Sequence, residues 1–222
     1  MTKSDKTDET SGKMNRRSLV KAGASLAVGA AISPLLAGAS AQAQTHNGKA
    51  KTLILASHPY PERSVVNKAL WEVAQKADDT YFRNLESIYG DNMHSFDVAA
   101  EHALYHDMER LVFIYPTHWF NLTPMLKAYL NEVWGLGRPA GLRGKELLIV
   151  TTTGADRASY QPNGRLGFTI EQVLTPLHTC ANYTGMIYSP PLAFQGVSGS
   201  ETALRNYQDA LTVRLREAPR KA

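Results

Sequence analysis

The sequence predicts an α/β protein built on one doubly wound sheet of five parallel strands, with helices on both faces. Three observations support this prediction. Several apolar runs have no polar interruption, which indicates strands buried on both faces, as in a parallel sheet. Segments with apolar residues at helical spacing alternate with those runs. Residues 44–222 also match the size of one domain with a full core.

Five segments are expected to form the strands. Three are uninterrupted apolar runs, Leu53–Ala56, Leu111–Tyr115 and Leu147–Val150. Two weaker segments, one near Tyr81–Leu85 and one at Met186–Tyr188, complete the set. The expected strand order is 2-1-3-4-5, and right-handed crossovers bring the loops after strands one, three and four to one edge of the sheet. Open α/β folds bind ligands at that edge, so we expect the chemistry there.

Five helices are predicted between and after these strands. In three of them the apolar residues share one face. Those faces comprise Val66, Ala69, Leu70, Val73 and Ala77; Leu126, Leu130, Val133 and Trp134; and Leu204, Tyr207, Leu211 and Leu215. The other two helices are Ala99–Glu109 and Thr169–Tyr183, the second despite Pro176.

Residues 1–43 are expected to form a bacterial twin-arginine signal peptide. Arg16 and Arg17 precede an Ala/Gly-rich run, Ala22–Leu36, and then Ala41-Gln42-Ala43, which has the form of a cleavage site. A retained membrane anchor is the alternative, but this run is shorter than the roughly 20 apolar residues that a span needs. We therefore expect residues 44–222 to be a periplasmic or secreted chain without a permanent membrane span.

Charge and cysteine content limit the classes of function further. Six of the 24 Lys and Arg residues and three of the 20 Asp and Glu residues lie in positions 1–43, so the remaining chain is close to neutral. This balance gives no support to a nucleic-acid partner. The single cysteine, Cys180, excludes an internal disulfide, and its place in a predicted helix favours a buried, unreactive thiol.

The loop after the first strand, Ser57–Asn67, contains neither G-x-G-x-x-G nor the P-loop pattern. Ser64 can instead cap the following helix, whose first N–H groups, on Val65, Val66 and Asn67, would then be available to an anion. An ordinary helix cap explains the same residues. This loop alone does not decide between the two interpretations.

Aromatic residues occupy the loop after the third strand. The strand ends at Pro116, and Trp119 and Phe120 follow before Thr123 and Pro124 begin a helix. Such side chains suit a flat, conjugated ligand, although burial in the core is the simpler explanation for them taken alone. The loop after the fourth strand, Thr151–Tyr160, offers hydroxyls, a glycine and backbone amides for the polar edge of a heterocycle.

Two other kinds of chemistry receive little support. His58 and His118 lie on different loops without an obvious third ligand, and such histidines more often cap or pack, so we expect no metal site. The chain has no G-x-S-x-G motif and no convincing Cys/His pair, which argues against nucleophilic hydrolysis.

Six motifs occur in order between about Leu53 and Pro191. They are His58–Asn67, Phe96–Glu101, Tyr115–Phe120, Pro124–Leu130, Thr152–Gly154 and Tyr183–Pro191. In sequence and spacing they resemble the flavodoxin-like NAD(P)H dehydrogenase (quinone) family, most closely its ancillary flavoproteins of glutathione-regulated potassium efflux. The resemblance implies a flavodoxin-like fold, NAD(P)H as electron donor and a non-covalently bound flavin. The short chain favours FMN, with FAD as the alternative.

The resemblance also assigns residues to the flavin. The family's phosphate loop corresponds to His58, Ser64, Val66 and Asn67. Its isoalloxazine loop corresponds to Pro116, Thr117, Trp119 and Phe120, and its contacts with the pyrimidine edge correspond to Thr152, Thr153 and Gly154. Tyr160 matches a tyrosine that helps to stabilise the reduced flavin in quinone reductases of the family.

Two departures from the family affect the expected chemistry. Leu166 stands where those reductases have a histidine, and the neighbouring Arg165 is a candidate for offsetting the charge of an anionic reduced flavin. Between Val133 and Lys145 the chain is shorter than its relatives and lacks a segment that helps to enclose the acceptor, which leaves the identity of the acceptor open.

The leading interpretation is an exported flavin-dependent NAD(P)H:quinone-type oxidoreductase. Reductases of the family pass a hydride from NAD(P)H to the flavin and then to a quinone or similar flat acceptor in a ping-pong cycle, and they are commonly homodimers. A flavin-binding regulatory or partner protein, like the potassium-efflux subunits, is the alternative, and a one-electron shuttle is the third. The export signal favours the first interpretation but also suggests a different physiological donor, such as a quinol, because little NAD(P)H is expected outside the inner membrane.

Overall fold

A parallel sheet forms the centre of the protein, and its inner strands are buried at every position because helices cover both faces. The computed structural model describes residues 51–135, 139 and 141–221. The strands are β1 Thr52–Ala56, β2 Thr80–Asn84, β3 Arg110–Pro116, β4 Glu146–Thr153, β5 Ile187–Tyr188 and β6 Leu192–Gln195. Strands β2, β1, β3, β4 and β5 lie side by side in that order with parallel pairings. The predicted fold class and strand order are confirmed.

The fifth strand is divided into two pieces, which the sequence pattern did not predict. β5 pairs with the start of β4, and β6 pairs with Val150–Thr153 farther along the same strand. Pro190 and Pro191 lie between the pieces and have no N–H to donate to the ladder. Beyond β6, the Val197 N–H donates to the Thr153 carbonyl at 3.1 Å. The chain therefore runs past the carboxyl end of β4.

Helices α1, α2, α3, α4, α5, α6 and α7 connect and cover the strands. Their bounds are Val65–Lys76, Leu85–Tyr89, Val98–Leu104, Pro124–Tyr129, Ile170–Val173, Thr175–Thr184 and Glu201–Arg216. A π-helical segment, Leu130–Trp134, continues α4. α1 and α7 pack in an apolar cluster on one face of the sheet, and α4, α5 and α6 pack in a second cluster on the other face.

Three of the predicted boundaries are wrong. The strand expected near Tyr81–Leu85 ends at Asn84, whose side chain accepts a hydrogen bond from the Ser87 N–H at 3.1 Å and so begins α2. The helix expected at Ala99–Glu109 ends already at Leu104. β5 also begins one residue later than expected.

The helix predicted at Thr169–Tyr183 is two helices, α5 and α6, separated at Leu174. Pro176 causes the division, because it lacks an N–H for the helical ladder and its ring clashes with the preceding turn. Thr169 begins α5 with a capping box that involves Gln172.

A buried charge cluster lies at the amino ends of β3 and β4, opposite the edge where ligands are expected. The Arg110 Nε donates to the Glu146 carboxylate at 2.7 Å, and both side chains are fully buried. Burial raises the pKa of Glu146, but hydrogen bonds from Ser189, Arg110 and Arg214 outweigh this effect and lower the pKa to about 2. This cluster fixes the C-terminal segment, because Arg110 also donates to the Glu217 carbonyl at 2.8 Å.

The predicted signal peptide, residues 1–43, and its boundary at residue 44 lie outside the described residues, as does part of the shortened stretch between Val133 and Lys145. The described residues belong to one compact unit. Within them, none of the helices combines the length and the apolar character needed to cross a membrane.

Candidate functional site

The loops after β1, β3 and β4 meet at the carboxyl edge of the sheet and enclose a cavity of about 400 Å³. Nine of the eleven residues assigned to a flavin line this cavity: His58, Ser64, Val66, Asn67, Pro116, Thr117, Thr152, Thr153 and Gly154. The topology explains why they meet, since parallel strands end together and crossovers return behind the sheet. We call this space the flavin cavity.

The amino end of α1 points its first turn at the flavin cavity. Ser64 is the N-cap, and its Oγ accepts the Asn67 N–H at 3.2 Å. The expectation that the N–H of Asn67 is free is therefore wrong. Val65 and Val66 occupy the first two positions of the helix and line the cavity. N–H groups at such positions have no acceptor within a helix, and the helix dipole adds to their attraction for an anion.

Asn67 carries a buried polar atom without a partner. Its side chain is 3% exposed, its Nδ2 donates to the Thr152 Oγ1 at 3.2 Å, and its Oδ1 forms no hydrogen bond. Turning the amide over would exchange the two ends but would still leave one of them unpaired. Because a buried unpaired polar group costs stability, the cavity wall has hydrogen-bonding capacity that a ligand can use.

His58 is neutral and presents one N–H group. Burial chiefly, and the neighbouring His118 second, lower the pKa of His58 to about 4. Its Nδ1 accepts the Tyr60 N–H at 3.0 Å, so the ring proton of the neutral form is on Nε2. The rings of His58 and His118 meet edge to face with centroids 5.7 Å apart. In the described part of the chain, no three His, Cys, Asp or Glu side chains come together in a way that could hold a metal ion.

The aromatic loop after β3 makes a strained turn. Trp119 and Phe120 have φ values of 48° and 62°, and the Asn121 N–H donates to the His118 carbonyl at 3.0 Å to close the turn. This left-handed conformation is unfavourable for two successive residues that are not glycine. Backbone strain of this kind is found most often at functional sites.

Trp119 and Phe120 lie outside the flavin cavity itself. Trp119 is 93% exposed and Phe120 is 47% exposed, so the interpretation of both as core residues is wrong. Phe120 borders a neighbouring apolar cavity of about 390 Å³ together with Leu166, Phe168, Gln172 and Val173. Both aromatic side chains therefore stand at the rim, where a ligand larger than the flavin cavity would meet them.

The end of β4 and the loop after it place hydroxyls along the cavity wall. Thr117 connects this loop to the previous one, because its N–H donates to the Thr152 carbonyl at 2.9 Å. The Tyr160 hydroxyl hydrogen-bonds the Thr153 side chain, and burial raises the pKa of Tyr160 above its ordinary value. The phenol is therefore a hydrogen-bond donor at neutral pH, held behind the residues expected at the pyrimidine edge of a flavin.

Arg165 is not part of the flavin cavity. Its side chain is exposed and lies near Asp156, whose pKa is lowered chiefly by hydrogen bonds from Ser159 and further by the charge of Arg165. The structure thus places this arginine on the surface near a carboxylate, and Arg165 is not among the residues that line the cavity.

Two residues of the cavity wall were not found from the sequence. Val197 and Gly199 come from the loop after β6 and line the cavity, and Gly199 lies close to the Val65 side chain. No periodic pattern marks them, because β6 has only four residues. The glycines at 196 and 199 were the only signal that a turn approaches another part of the backbone there.

Comparison with known proteins gives a consistent result. A family model described as a flavodoxin-like fold matches residues 50–215. General stress protein 14 of Bacillus subtilis (strain 168) is 38% identical over 153 residues, which cover 67% of this chain and 86% of the relative. A protein named as an uncharacterized NAD(P)H oxidoreductase, YrkL, of the same organism is 34% identical over 66% of this chain and 86% of its own length.

A relative named as an ancillary protein and a structure solved with FMN also match. The ancillary protein KefF of a glutathione-regulated potassium-efflux system from Klebsiella aerogenes is 33% identical over 64% of this chain and 80% of its own length. The crystal structure of general stress protein 14 from Treponema denticola, solved in complex with FMN, is 29% identical. It covers 74% of this chain and 97% of its own, with a TM-score of 0.68.

Proposed function

The chain belongs to the flavodoxin-like fold family that its residues 50–215 match, and on this basis we propose that it is a flavin-dependent NAD(P)H:quinone-type oxidoreductase. The unpaired amide end of Asn67 inside the cavity at the start of α1 carries the proposal. A polar ligand that fills the cavity would give this buried group a hydrogen-bond partner. The NAD(P)H oxidoreductase relative and the FMN-bound relative name the chemistry that such a ligand would supply.

The residues of the flavin cavity fit an FMN phosphate. The N–H groups of Val65 and Val66 and the Nε2–H of His58 are hydrogen-bond donors toward one space. Asn67 adds a donor when its amide is turned over, so that Oδ1 accepts the Thr152 hydroxyl and Nδ2 faces the anion. An anion there also gains from the dipole of α1, a helix of 12 residues. The phosphate would be held without a glycine-rich loop, by one helix end and two side chains.

The two other loops fit the flat part of the same cofactor. The backbone and hydroxyls of Thr152, Thr153 and Gly154 would hydrogen-bond the pyrimidine edge, and the segment from Pro116 to Phe120 would cover the ring system. When bound, the flavin supplies two-electron hydride chemistry, and the protein supplies position and electrostatics. Tyr160 would hold its proton close to the ring edge that becomes more basic on reduction, which favours the reduced cofactor.

Donor and acceptor would use the cavity in turn. A ping-pong order is part of the proposal, because a flavin would fill most of a cavity of about 400 Å³, and donor and acceptor would then share the space at its rim. The apolar cavity beside Phe120 supports a quinone or similar aromatic acceptor. We also propose that the protein is exported through the twin-arginine pathway and acts as a homodimer, in which the exposed Trp119 would be covered by the second copy.

A regulatory role is the second candidate, and the similarity to the potassium-efflux ancillary protein favours it. Both candidates require flavin binding, and they differ in turnover. The regulatory protein would bind flavin and reduce acceptors slowly, whereas the reductase would cycle rapidly. The residues of the cavity do not separate the two, since the same donors would hold the cofactor in either case.

An absorbance spectrum of the purified mature chain, followed by addition of NADPH under nitrogen, tests the proposal. We expect a yellow protein that bleaches with NADPH and recovers its colour when a quinone is added. A protein that takes up neither FMN nor FAD would contradict flavin binding. Flavin that bleaches but does not pass its electrons to quinones at a catalytic rate would favour the regulatory candidate.

The role of Arg165 has its own test. In the proposal its charge offsets that of the reduced flavin, across the short loop that separates it from Tyr160. Arg165→Ala should then slow reduction of the flavin and lower its reduction potential, and Arg157→Ala is a matched control, since Arg157 is exposed on the same loop. Equal rates and potentials in both variants and the wild type would remove Arg165 from the mechanism.

A further inference from the structure

Glu86 is a half-buried carboxylate that no feature of the proposed mechanism uses. It lies in the first turn of α2, outside the flavin cavity. Its Oε1 accepts the Ser57 hydroxyl at 2.6 Å, and its Oε2 is buried without a hydrogen-bond partner. Burial raises the pKa of Glu86, opposed by the hydrogen bond from Ser57. A carboxylate in this position costs stability, so its presence calls for a function.

A directed chain of hydrogen bonds connects Glu86 with both principal loops of the flavin cavity. Ser57 is fully buried and immediately precedes His58, and its hydroxyl oxygen pairs closely with that of Thr123, which is also fully buried. Since Ser57 gives its only hydroxyl proton to Glu86, Thr123 must donate to Ser57. Thr123 in turn accepts the Leu126 N–H at 3.4 Å as the N-cap of α4. The chain therefore runs from a helix amino end to the carboxylate.

The two hydroxyls stand at defined points of the cavity. Ser57 directly follows β1 and begins the loop that carries His58 and leads to Ser64, the N-cap of α1. Thr123 ends the aromatic loop and begins α4. The His58 backbone N–H also contributes to stabilising the Glu86 carboxylate. The Glu86 carboxylate on α2 thus contacts the start of the loop after β1 directly. Through Ser57 it also reaches Thr123 at the end of the loop after β3.

We propose that Glu86 is a positioning residue. Through Ser57 and Thr123 it fixes the loop after β1 and the loop after β3 relative to each other. The proposal rests on the proposed flavin binding. The positioning role requires a carboxylate at position 86, because an amide would not serve in the same way. A carboxylate only accepts, so it enforces one direction on both hydroxyls, and charge strengthens hydrogen bonds along such a chain. An amide could donate to Ser57 and reverse the chain, which would release the Thr123 hydroxyl from it.

Amide hydrogen exchange of the flavin-free protein tests this role directly. Glu86→Gln should accelerate exchange about tenfold in residues 57–64 and 117–123 together, which corresponds to the loss of about one charge-assisted hydrogen bond. Residues 201–216 of α7 should keep the exchange rates of the wild type. If either loop exchanges as slowly as in the wild type, Glu86 does not position the two loops.

Leu85→Ala is the matched control for general destabilisation. Leu85 is the neighbouring residue of α2 and is fully buried in the core, so its truncation lowers stability without touching the hydrogen-bond chain. Leu85→Ala should lower the melting temperature and leave the dissociation constant of FMN for the folded protein near the wild-type value. Glu86→Gln should do the reverse, with an unchanged or higher melting temperature and about tenfold weaker FMN binding. FMN affinities that follow melting temperature across both variants would overturn the proposal.

A double-mutant cycle identifies the path. Ser57→Ala removes the link between Glu86 and Thr123, so the double variant Ser57→Ala/Glu86→Gln should bind FMN no more weakly than the weaker single variant. Additive losses would show that Glu86 acts by another route. A wild-type protein that binds no FMN would refute the proposed function, and hydrogen exchange would still decide the role of Glu86.

Discussion

The strained turn at Trp119 predicts that a glycine at this position stabilises the protein. Trp119 has a φ of 48°, a conformation that costs a residue with a β-carbon roughly 1–2 kcal/mol. The side chain is 93% exposed in the single chain, so its removal from the dilute, monomeric protein gives up almost no buried apolar area. A glycine adds roughly 0.5–1 kcal/mol of conformational freedom to the unfolded chain. The net expectation for Trp119→Gly is a gain of roughly 0.5–1 kcal/mol.

Trp119→Ala provides the matched control. It removes the same indole but keeps a β-carbon, so it should leave the free energy of unfolding close to that of the wild type. For a protein of this size, 1 kcal/mol moves the melting temperature by roughly 2–4 °C, and the difference between the two variants should therefore be measurable by thermal unfolding. If Trp119→Gly is no more stable than Trp119→Ala, the turn is not strained in the flavin-free protein.

The same two variants report on function. If the indole covers the flavin, as we propose, both variants should bind FMN several-fold more weakly, because an aromatic contact contributes roughly 0.5–1.5 kcal/mol. The glycine variant would then be the more stable and the weaker binder. Such a result would show that the strained conformation of Trp119 is retained because the indole contributes to ligand binding. Equal FMN affinity in the wild type and both variants would show that the indole does not contact FMN.

Three further predictions concern single side chains. Asn67→Ala should weaken FMN binding by about tenfold or more, which is the effect of one hydrogen bond to a charged group. The control Asn206→Ala, at an exposed position on α7, should bind FMN as the wild type does. If Asn67→Ala binds FMN as tightly as the wild type, the Asn67 amide does not contact the phosphate. Tyr160→Phe should retain FMN but lower the rate of its reduction by NAD(P)H about tenfold in stopped-flow measurements, and an unchanged rate would leave the tyrosine a structural role. The carboxylate of Glu146, with its pKa of about 2 against 4.5 in the unfolded chain, stabilises the fold above pH 4.5, and this contribution should be lost as the pH falls toward 2. The free energy of unfolding should fall by about 3 kcal/mol over that range, and acid titrations of Glu146→Gln that follow the wild-type curve would refute the assignment.

The sequence was most informative where burial alone determines the structure. The runs at Leu53–Ala56, Leu111–Tyr115 and Leu147–Val150 are apolar because these strands are covered on both faces, and they determined the sheet and its order. β6 escaped detection because its four residues, Leu192–Gln195, have no room for a period and follow two prolines. α2 is also too short, at five residues, to show helical spacing.

The residues of the candidate site likewise fall into those that the sequence could predict and those that it could not. Asn67 in the first turn of α1 and Thr152 near the end of β4 line the cavity, where the sheet topology and the family resemblance placed them. The left-handed turn at Trp119 and Phe120 could not be predicted, because nothing in an aromatic pair specifies a positive φ. Arg165 was selected by its distance in sequence from Tyr160, and sequence distance does not give the direction in which an exposed side chain extends from a loop.

The divided fifth strand has a consequence for how copies of this protein meet. A free sheet edge is a template on which a strand from another molecule can add, and this is how many β-rich proteins aggregate. Here the outer edge beyond β4 is two residues of β5, a gap with Pro190 and Pro191, and four residues of β6. No incoming strand can find a continuous row of N–H donors along it. The prolines that interrupt the ladder thus make this edge a poor template for other chains, so strand addition at this edge should not contribute to aggregation.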